Sequence, residues 1–228
     1  MSDRYIEKNL MAVRAALGAA ESAAGREGQT TLIAAVKYAT DEELETLLSL
    51  GVSDIGENRV QQLLAHWEIA RAHHTRVHFI GTLQRNKVKY IVDKVAAIHS
   101  VDSVALAHEI SRRAVAAGLV IDVFAEVNSG REEAKSGVLP ECAEELCREM
   151  ATLPGLSLKG LMTMAPHCDD RARYRIYFSQ TRELAERIWR RLGLAGEPQL
   201  SMGMSESFEG AILEGASFVR VGRRLFAK

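Results

Sequence analysis

The sequence predicts an α/β fold, a (β/α)8 barrel with an extra N-terminal helix, formed as a single domain over residues 1–228. Three observations carry that prediction. Strand-like and helix-like patterns alternate from residue 31 to the end, and eight strands can be counted along the way. The Gly-x-Gly-x-x-Gly turn of a doubly wound open sheet, the competing architecture, is absent. A chain of 228 residues, 47% of them hydrophobic, also carries enough apolar material for one large core.

The elements read as follows. Ile6, Leu10, Val13 and Leu17 recur at helical spacing within residues 1–24, and residues 25–30 break that pattern. The first strand is the apolar run 31–36. Helix 41–50 stops at Gly51, strand 53–56 is short, and helix 57–72 follows. Strand 77–80 leads to a helix over about 84–93, and strand 97–101 to helix 103–117, stopped by Gly118. Strand 120–127 precedes helix 140–153, where Pro140 suits the first turn and Pro154 with Gly155 ends it. Strand 158–164 is followed by a long helix over about 170–192, closed by Gly193. Asp169 and Asp170 suit its N-terminus. Strand 199–202, helix 206–213 and strand 217–221 complete the alternation.

Bulk properties exclude several classes. Lys+Arg 29 against Asp+Glu 30 leaves a formal charge of −1, so no global basic excess invites nucleic acid or an anionic membrane. The stretch from Met1 to Tyr5 lacks the apolar core of a signal peptide, and no apolar run approaches the roughly 18 residues of a membrane helix. Cys142, Cys147 and Cys168 are too few and too irregular for a disulfide framework, and the first two point to different faces of one helix. A soluble protein of a reducing compartment, the cytoplasm, is expected. The histidines, among them His73, His74 and His78, form no helical pair with carboxylate support, so no metal site is expected. His78 reads as structural. Arg85, Lys87 and Lys89 read as a solvated helix face, with a secondary anion site as the alternative.

Chemistry concentrates at the two ends of the chain. Lys37 closes the first strand. Walls of low dielectric there would disfavour its ammonium and favour a neutral amine able to form a Schiff base. The alternative is a lysine whose stem lies on the rim with its ammonium in water. In a barrel the site lies at the C-terminal ends of the strands, and phosphate is often held after strands seven and eight. After strand seven come Gly203, Met204 and Ser205, running into a helix whose free N–H groups would face an anion. After strand eight come Arg220, Gly222, Arg223 and Arg224, again with a glycine at the turn. Strand eight neighbours strand one, so an amine and an anion pocket fall on adjacent strands. That pair suits an aldehyde carrying a phosphate, of which pyridoxal 5′-phosphate (PLP) is the obvious one.

Several stretches then resemble the pyridoxal phosphate homeostasis protein family, also called PLP-binding protein or proline synthetase co-transcribed homologue. They are residues 34–37, 56–61, the ten residues 78–87, 100–102, 127–128, Glu132, 135–137, 160–162, 201–205 and 219–222, in order along nearly the whole chain. The resemblance implies a fold like the N-terminal barrel of alanine racemase, with PLP on Lys37 as a Schiff base. It further implies that Ser205, with the backbone around Gly203 and Met204, holds the phosphate. Gly222 and Arg223 would add backbone N–H groups, Arg220 would face the pyridine nitrogen, and Asn58 would lie near the ring. This chain departs from the family pattern at Ser207, where Asp is usual, at Arg223, where a small residue such as Thr is usual, and in its ending Leu225, Phe226 and Ala227. The missing Thr hydroxyl puts one phosphate contact in doubt, and Arg223 is expected to point outward.

Arg220 bears on what the cofactor would do. A guanidinium keeps its proton, so the ring would stay neutral and serve as a poor electron sink. Racemisation needs acid/base groups on both faces of the substrate carbon. The chain ends soon after strand eight, where the family likeness to alanine racemase would lead one to expect a second domain. The expectation is therefore a PLP carrier serving vitamin B6 homeostasis without strong catalysis, and no catalytic residue is assigned. The expected partners are PLP itself and PLP-dependent apoenzymes, with no nucleic acid, no membrane and a monomeric chain. Two rivals stay open: a weak single-domain amino-acid racemase, and a phosphosugar enzyme using Lys37 without PLP.

Overall fold

The computed structural model describes residues 4–228, so Met1, Ser2 and Asp3, part of the stretch read as leaderless, lie outside the described residues. The strands are β1 (Thr31–Ala35), β2 (Asp54–Glu57), β3 (Arg76–Phe79), β4 (Ala97–Val101), β5 (Ile121–Val127), β6 (Leu156–Thr163), β7 (Gln199–Met204) and β8 (Phe218–Val221). The helices are α1 (Arg4–Ala24), α2 (Asp41–Ser49), α3 (Val60–Ala72), α4 (Val104–Ala116), α5 (Ala143–Thr152), α6 (Arg171–Leu192), α7 (Phe208–Leu213) and α8 (Arg223–Phe226), with 3₁₀ turns at Arg85–Tyr90 and Pro140–Cys142. Each strand pairs in parallel with the next, and β8 returns to β1, closing the barrel.

Local chemistry sets the element ends. Thr40 and Glu43 form a reciprocal capping box that starts α2 directly after the Lys37 turn. Ser103 caps α4, Asp170 caps α6, and Gly193 closes α6 at φ 61°. In α1, Ile6, Leu10 and Val13 are buried, while Leu17 is only partly so, and the helix packs against α7 and α8. Cys142, expected on the same helix as Cys147, lies in the 3₁₀ turn before α5 and is exposed, while Cys147 on α5 is buried. Among the described residues, no helix is long and apolar enough to cross a membrane.

Two cores result. The larger lies between strands and helices and includes Leu44, Ile55, Leu63, Ile110, Phe178 and Ile188. The smaller groups Ala97, Phe124 and Met162, with Met164 and Phe218 packed against it. His99 of β4 reaches Ser201 of β7, and Phe124 of β5 reaches Phe218 of β8. Contacts between strands so far apart in a closed barrel can only cross its interior. Branched apolar side chains fill most such interiors; here a polar chain that includes His99 and Ser201 runs beside Phe124, Met162 and Phe218.

Several boundaries differ from the sequence reading. The helix expected over about 84–93 is the 3₁₀ turn Arg85–Tyr90, in which Val88 is the one buried side chain. Ile91 and Val92, within the expected span, are buried as well but lie past the end of that turn. Helix α3 starts at Val60 because Glu57 is held in β2, opposite Phe79 of β3. Strand β7 continues through Met204, which places Gly203 inside a strand and delays α7 to Phe208. Helix α8, a single turn after β8, is an addition.

Candidate functional site

Lys37 stands just past β1. The backbone N–H of Val36 still bonds to Gly56 O at 3.1 Å, and a turn follows in which Ala39 N–H bonds to Val36 O at 2.9 Å. Val36 and Ala39 are buried and Lys37 between them is exposed, its Nζ 4.7 Å from the centroid of the exposed Tyr38 ring. The desolvated amine expected at the strand exit is therefore not what the structure presents. The turn, with both apolar neighbours turned inward, lifts Lys37 to the rim.

Beside it opens a cavity of about 320 Å³, lined by Lys37, Tyr38, Asn58, Glu126, Ser136 and Met164 among others. Asn58 is in the loop after β2. A Cβ on Gly81 would fall 2.1 Å from Asn58 O, so glycine is needed where the loops after β2 and β3 touch. Glu126, almost fully buried near the end of β5, accepts a hydrogen bond from Ser136 Oγ at 2.6 Å. Burial pushes its carboxyl above the usual range. Ser136 and the charge of Arg220 oppose that rise, and Asp102 reinforces it.

Arg220 is buried near the end of β8. Its Nη1 donates to Ser201 Oγ at 2.7 Å and its Nη2 to Thr163 O at 2.9 Å. Burial lowers its pKa to about 10, with Glu126 partly offsetting, so it is cationic at neutral pH. Beneath it, Ser201 Oγ lies 2.8 Å from His99 Nδ1, His99 Nε2 lies 2.9 Å from His78 Nδ1, and His78 Nε2 lies 2.9 Å from Asp54 Oδ1.

A second cluster lies at the ends of β7 and β8. Ser205 Oγ accepts hydrogen bonds from the backbone N–H of Gly222 at 3.3 Å and of Arg224 at 3.4 Å. A Cβ on Gly222 would lie 2.8 Å from Ala35 O, so this turn rests directly on β1, two residues before Lys37. Gly203 has φ 91°, and a Cβ there would meet Ala211 at 2.6 Å, so its close approach is to α7. Met204 N–H bonds to Ser207 Oγ at 3.2 Å, a local bond made at the position where the family pattern has Asp. Arg223 pairs with Glu206 at 3.0 Å and its side chain is 72% exposed, so it points outward. Arg224, rather than Arg223, supplies the second N–H at Ser205.

The structure thus gathers Lys37 and Asn58 at one cavity, Ser205 and Gly222 at a neighbouring turn, and Arg220 beneath. Glu126, Ser136, Thr163 and Ser201 join them without having been singled out from the sequence. A carboxylate near the C-terminal end of a strand, after the apolar residues Val123 to Ala125, was the signal available for Glu126.

Residues 9–227 match the alanine racemase, N-terminal domain family. A pyridoxal phosphate homeostasis protein of Aquifex aeolicus is 43% identical over 210 residues, covering 92% of each chain. This chain belongs to the pyridoxal phosphate homeostasis protein family. A family member from Pseudomonas aeruginosa is 35% identical over 97% of this chain and 94% of its own. PipY of Synechococcus elongatus, solved with PLP bound, superposes with a TM-score of 0.85 at 28% identity, covering 97% of this chain and 100% of PipY. An alanine racemase of Clostridium difficile shares the fold, with a TM-score of 0.73 at 17% identity over 99% of this chain and 57% of its own.

Proposed function

We propose that this family member binds PLP reversibly, with Lys37 as covalent anchor, and serves PLP homeostasis in the cytoplasm as a monomer without strong catalysis of its own. The observation that carries the reading is the meeting of an amine and an anion cradle at one end of the barrel. Gly222, whose N–H points at Ser205 Oγ, rests on Ala35, two residues before Lys37. The donor set fits the cofactor. Ser205 and the N–H groups of Gly222 and Arg224 suit a phosphate, Lys37 suits an aldehyde carbon, and the absent side chain at Gly222 lets this turn rest against β1 beside Lys37. Gly203 and Met204 shape the loop, Asn58 lines the cavity, and Arg223 contributes no more than backbone.

When bound, PLP supplies an aldehyde that condenses with an amine and a ring that can accept electrons from a substrate carbon. Arg220 would donate a hydrogen bond to the ring nitrogen without surrendering its proton, which keeps the ring a weak electron acceptor. Lys37, exposed at the rim, can exchange the cofactor with incoming amines, and PLP-dependent apoenzymes are the recipients that fit. A weak amino-acid racemase is the second reading, favoured by Glu126, an ionisable group lining the same cavity as Lys37.

The test is an absorbance spectrum of the purified protein followed by borohydride reduction and peptide mapping. A yellow protein trapped at the Lys37 peptide is expected. A colourless protein that takes up no added PLP, or trapping chiefly at another lysine, rejects the reading.

A further inference from the structure

We propose that Asp54, His78, His99 and Ser201 are positioning residues for Arg220, linked in a one-way hydrogen-bond chain that runs through the barrel interior. The direction follows from donor counting. Ser201 is fully buried and its hydroxyl has two partners, Arg220 Nη1 at 2.7 Å and His99 Nδ1 at 2.8 Å. Arginine only donates, so the single hydroxyl proton goes to His99 Nδ1. An imidazole that accepts at Nδ1 carries its proton on Nε2, which therefore donates to His78 Nδ1 at 2.9 Å. By the same rule His78 donates from Nε2 to Asp54 Oδ1 at 2.9 Å.

Asp54 is a fitting terminus. Burial alone would raise its pKa, but hydrogen bonds from His78, Arg76 and Ser53 outweigh that and hold it ionised. Arg76 clamps it through two bonds of 2.8 and 2.9 Å. His99 is wholly buried, and burial together with the nearby charge of Arg220 keeps it neutral. Its ring stacks on Phe124 at 4.3 Å and meets Phe218 edge-on at 5.5 Å, which fixes the plane of the ring.

The chain has a consequence at the site. With its proton committed to His99, Ser201 can present only lone pairs to Arg220. One edge of the guanidinium is therefore tied down, by Ser201 at Nη1 and Thr163 O at Nη2. The remaining N–H groups are left for a ligand above. This inference rests on the PLP reading for the identity of that ligand, and on geometry alone for the chain itself.

The experiment has two arms. In the first, ¹⁵N side-chain NMR of the protein stripped of cofactor reads the protonation of each ring. Both His78 and His99 are expected as neutral Nε2–H tautomers. An imidazolium or an Nδ1–H tautomer at either position overturns the chain whether or not PLP binds. In the second, His99→Phe removes the link while keeping an aromatic ring on Phe124, and His99→Gln retains both an acceptor for Ser201 and a donor for His78. His99→Phe should weaken PLP retention about tenfold, the scale of one lost hydrogen bond to a charged group, and shift the absorbance of the bound cofactor. His99→Gln should recover most of both. Equal losses in the two variants would reduce His99 to packing and sink the positioning role. Failure of the unmodified protein to take up PLP would reject the functional reading instead, with the NMR arm still deciding the chain.

Discussion

Ser205 and Gly222 are joined across the ends of β7 and β8, the hydroxyl of one accepting the backbone N–H of the other at 3.3 Å. The bond aligns a side-chain oxygen with N–H groups where a phosphate would sit. Ser205→Ala should weaken PLP retention by about 1–3 kcal/mol, since an anion left short of one charge-assisted partner costs that much. Equilibrium dialysis against PLP and against pyridoxal measures it. Equal affinity of the unmodified protein for the two compounds would argue against a dedicated phosphate cradle.

Gly222→Ala tests the same turn from the backbone side. Its Cβ would lie 2.8 Å from Ala35 O, and main-chain oxygen cannot swing away as a flexible side chain can. The substitution should cost about 1–3 kcal/mol of stability and loosen PLP together with it. Thermal unfolding with and without PLP reads both effects. A variant as stable as the parent would mean that β8 and β1 slide apart easily.

Catalysis of ordinary strength is not expected. With Arg220 holding its proton, α-proton exchange of common amino acids in deuterated solvent should stay far below the rate of about 1 s⁻¹ seen at the slow end for working enzymes. Faster exchange that disappears in Lys37→Ala would move the protein into the racemase class, and Glu126→Gln would then be the next variant to make.

Stability should depend on pH through Glu57 and His66, which meet at 2.6 Å in the layer between β2 and α3. The hydrogen bond to Glu57 raises the His66 pKa above its ordinary value despite burial. Burial also raises Glu57, outweighing the His66 contact. Both shifts have one sign: the folded pair holds protons more readily than the unfolded chain. Its contribution is complete at low pH and fades as pH rises through the raised folded-state values, past the ordinary imidazole value of about 6.5. Urea unfolding from mildly acidic to mildly alkaline pH should show that decline, and His66→Gln should flatten it. Parallel slopes in the two proteins would remove the pair as the cause.

Most strands were legible because they are short segments rich in apolar residues that alternate with helical patterns. Lys37, Ser205 and Gly222 were legible for another reason: their chemistry stands out at the ends of such runs. The exposure of Lys37 was not, because it is decided by a turn whose neighbours Val36 and Ala39 both point inward. Nor was the polar chain through the interior. Whether Asp54, His78 and His99 meet depends on the stagger of three strands, and the β4–β5 register shifts between Ile98 and Val101. No single strand encodes its neighbour's offset. The reach of Arg220 to Thr163 O likewise needed the closed barrel.

An anchor on the rim decides who can reach it. Lys37 has solvent on one side and the exposed Tyr38 ring on the other. A cofactor attached there would meet incoming amines at a doorstep, and the caller could be as bulky as another folded protein. Delivery from such a perch should quicken in proportion to the recipient's concentration.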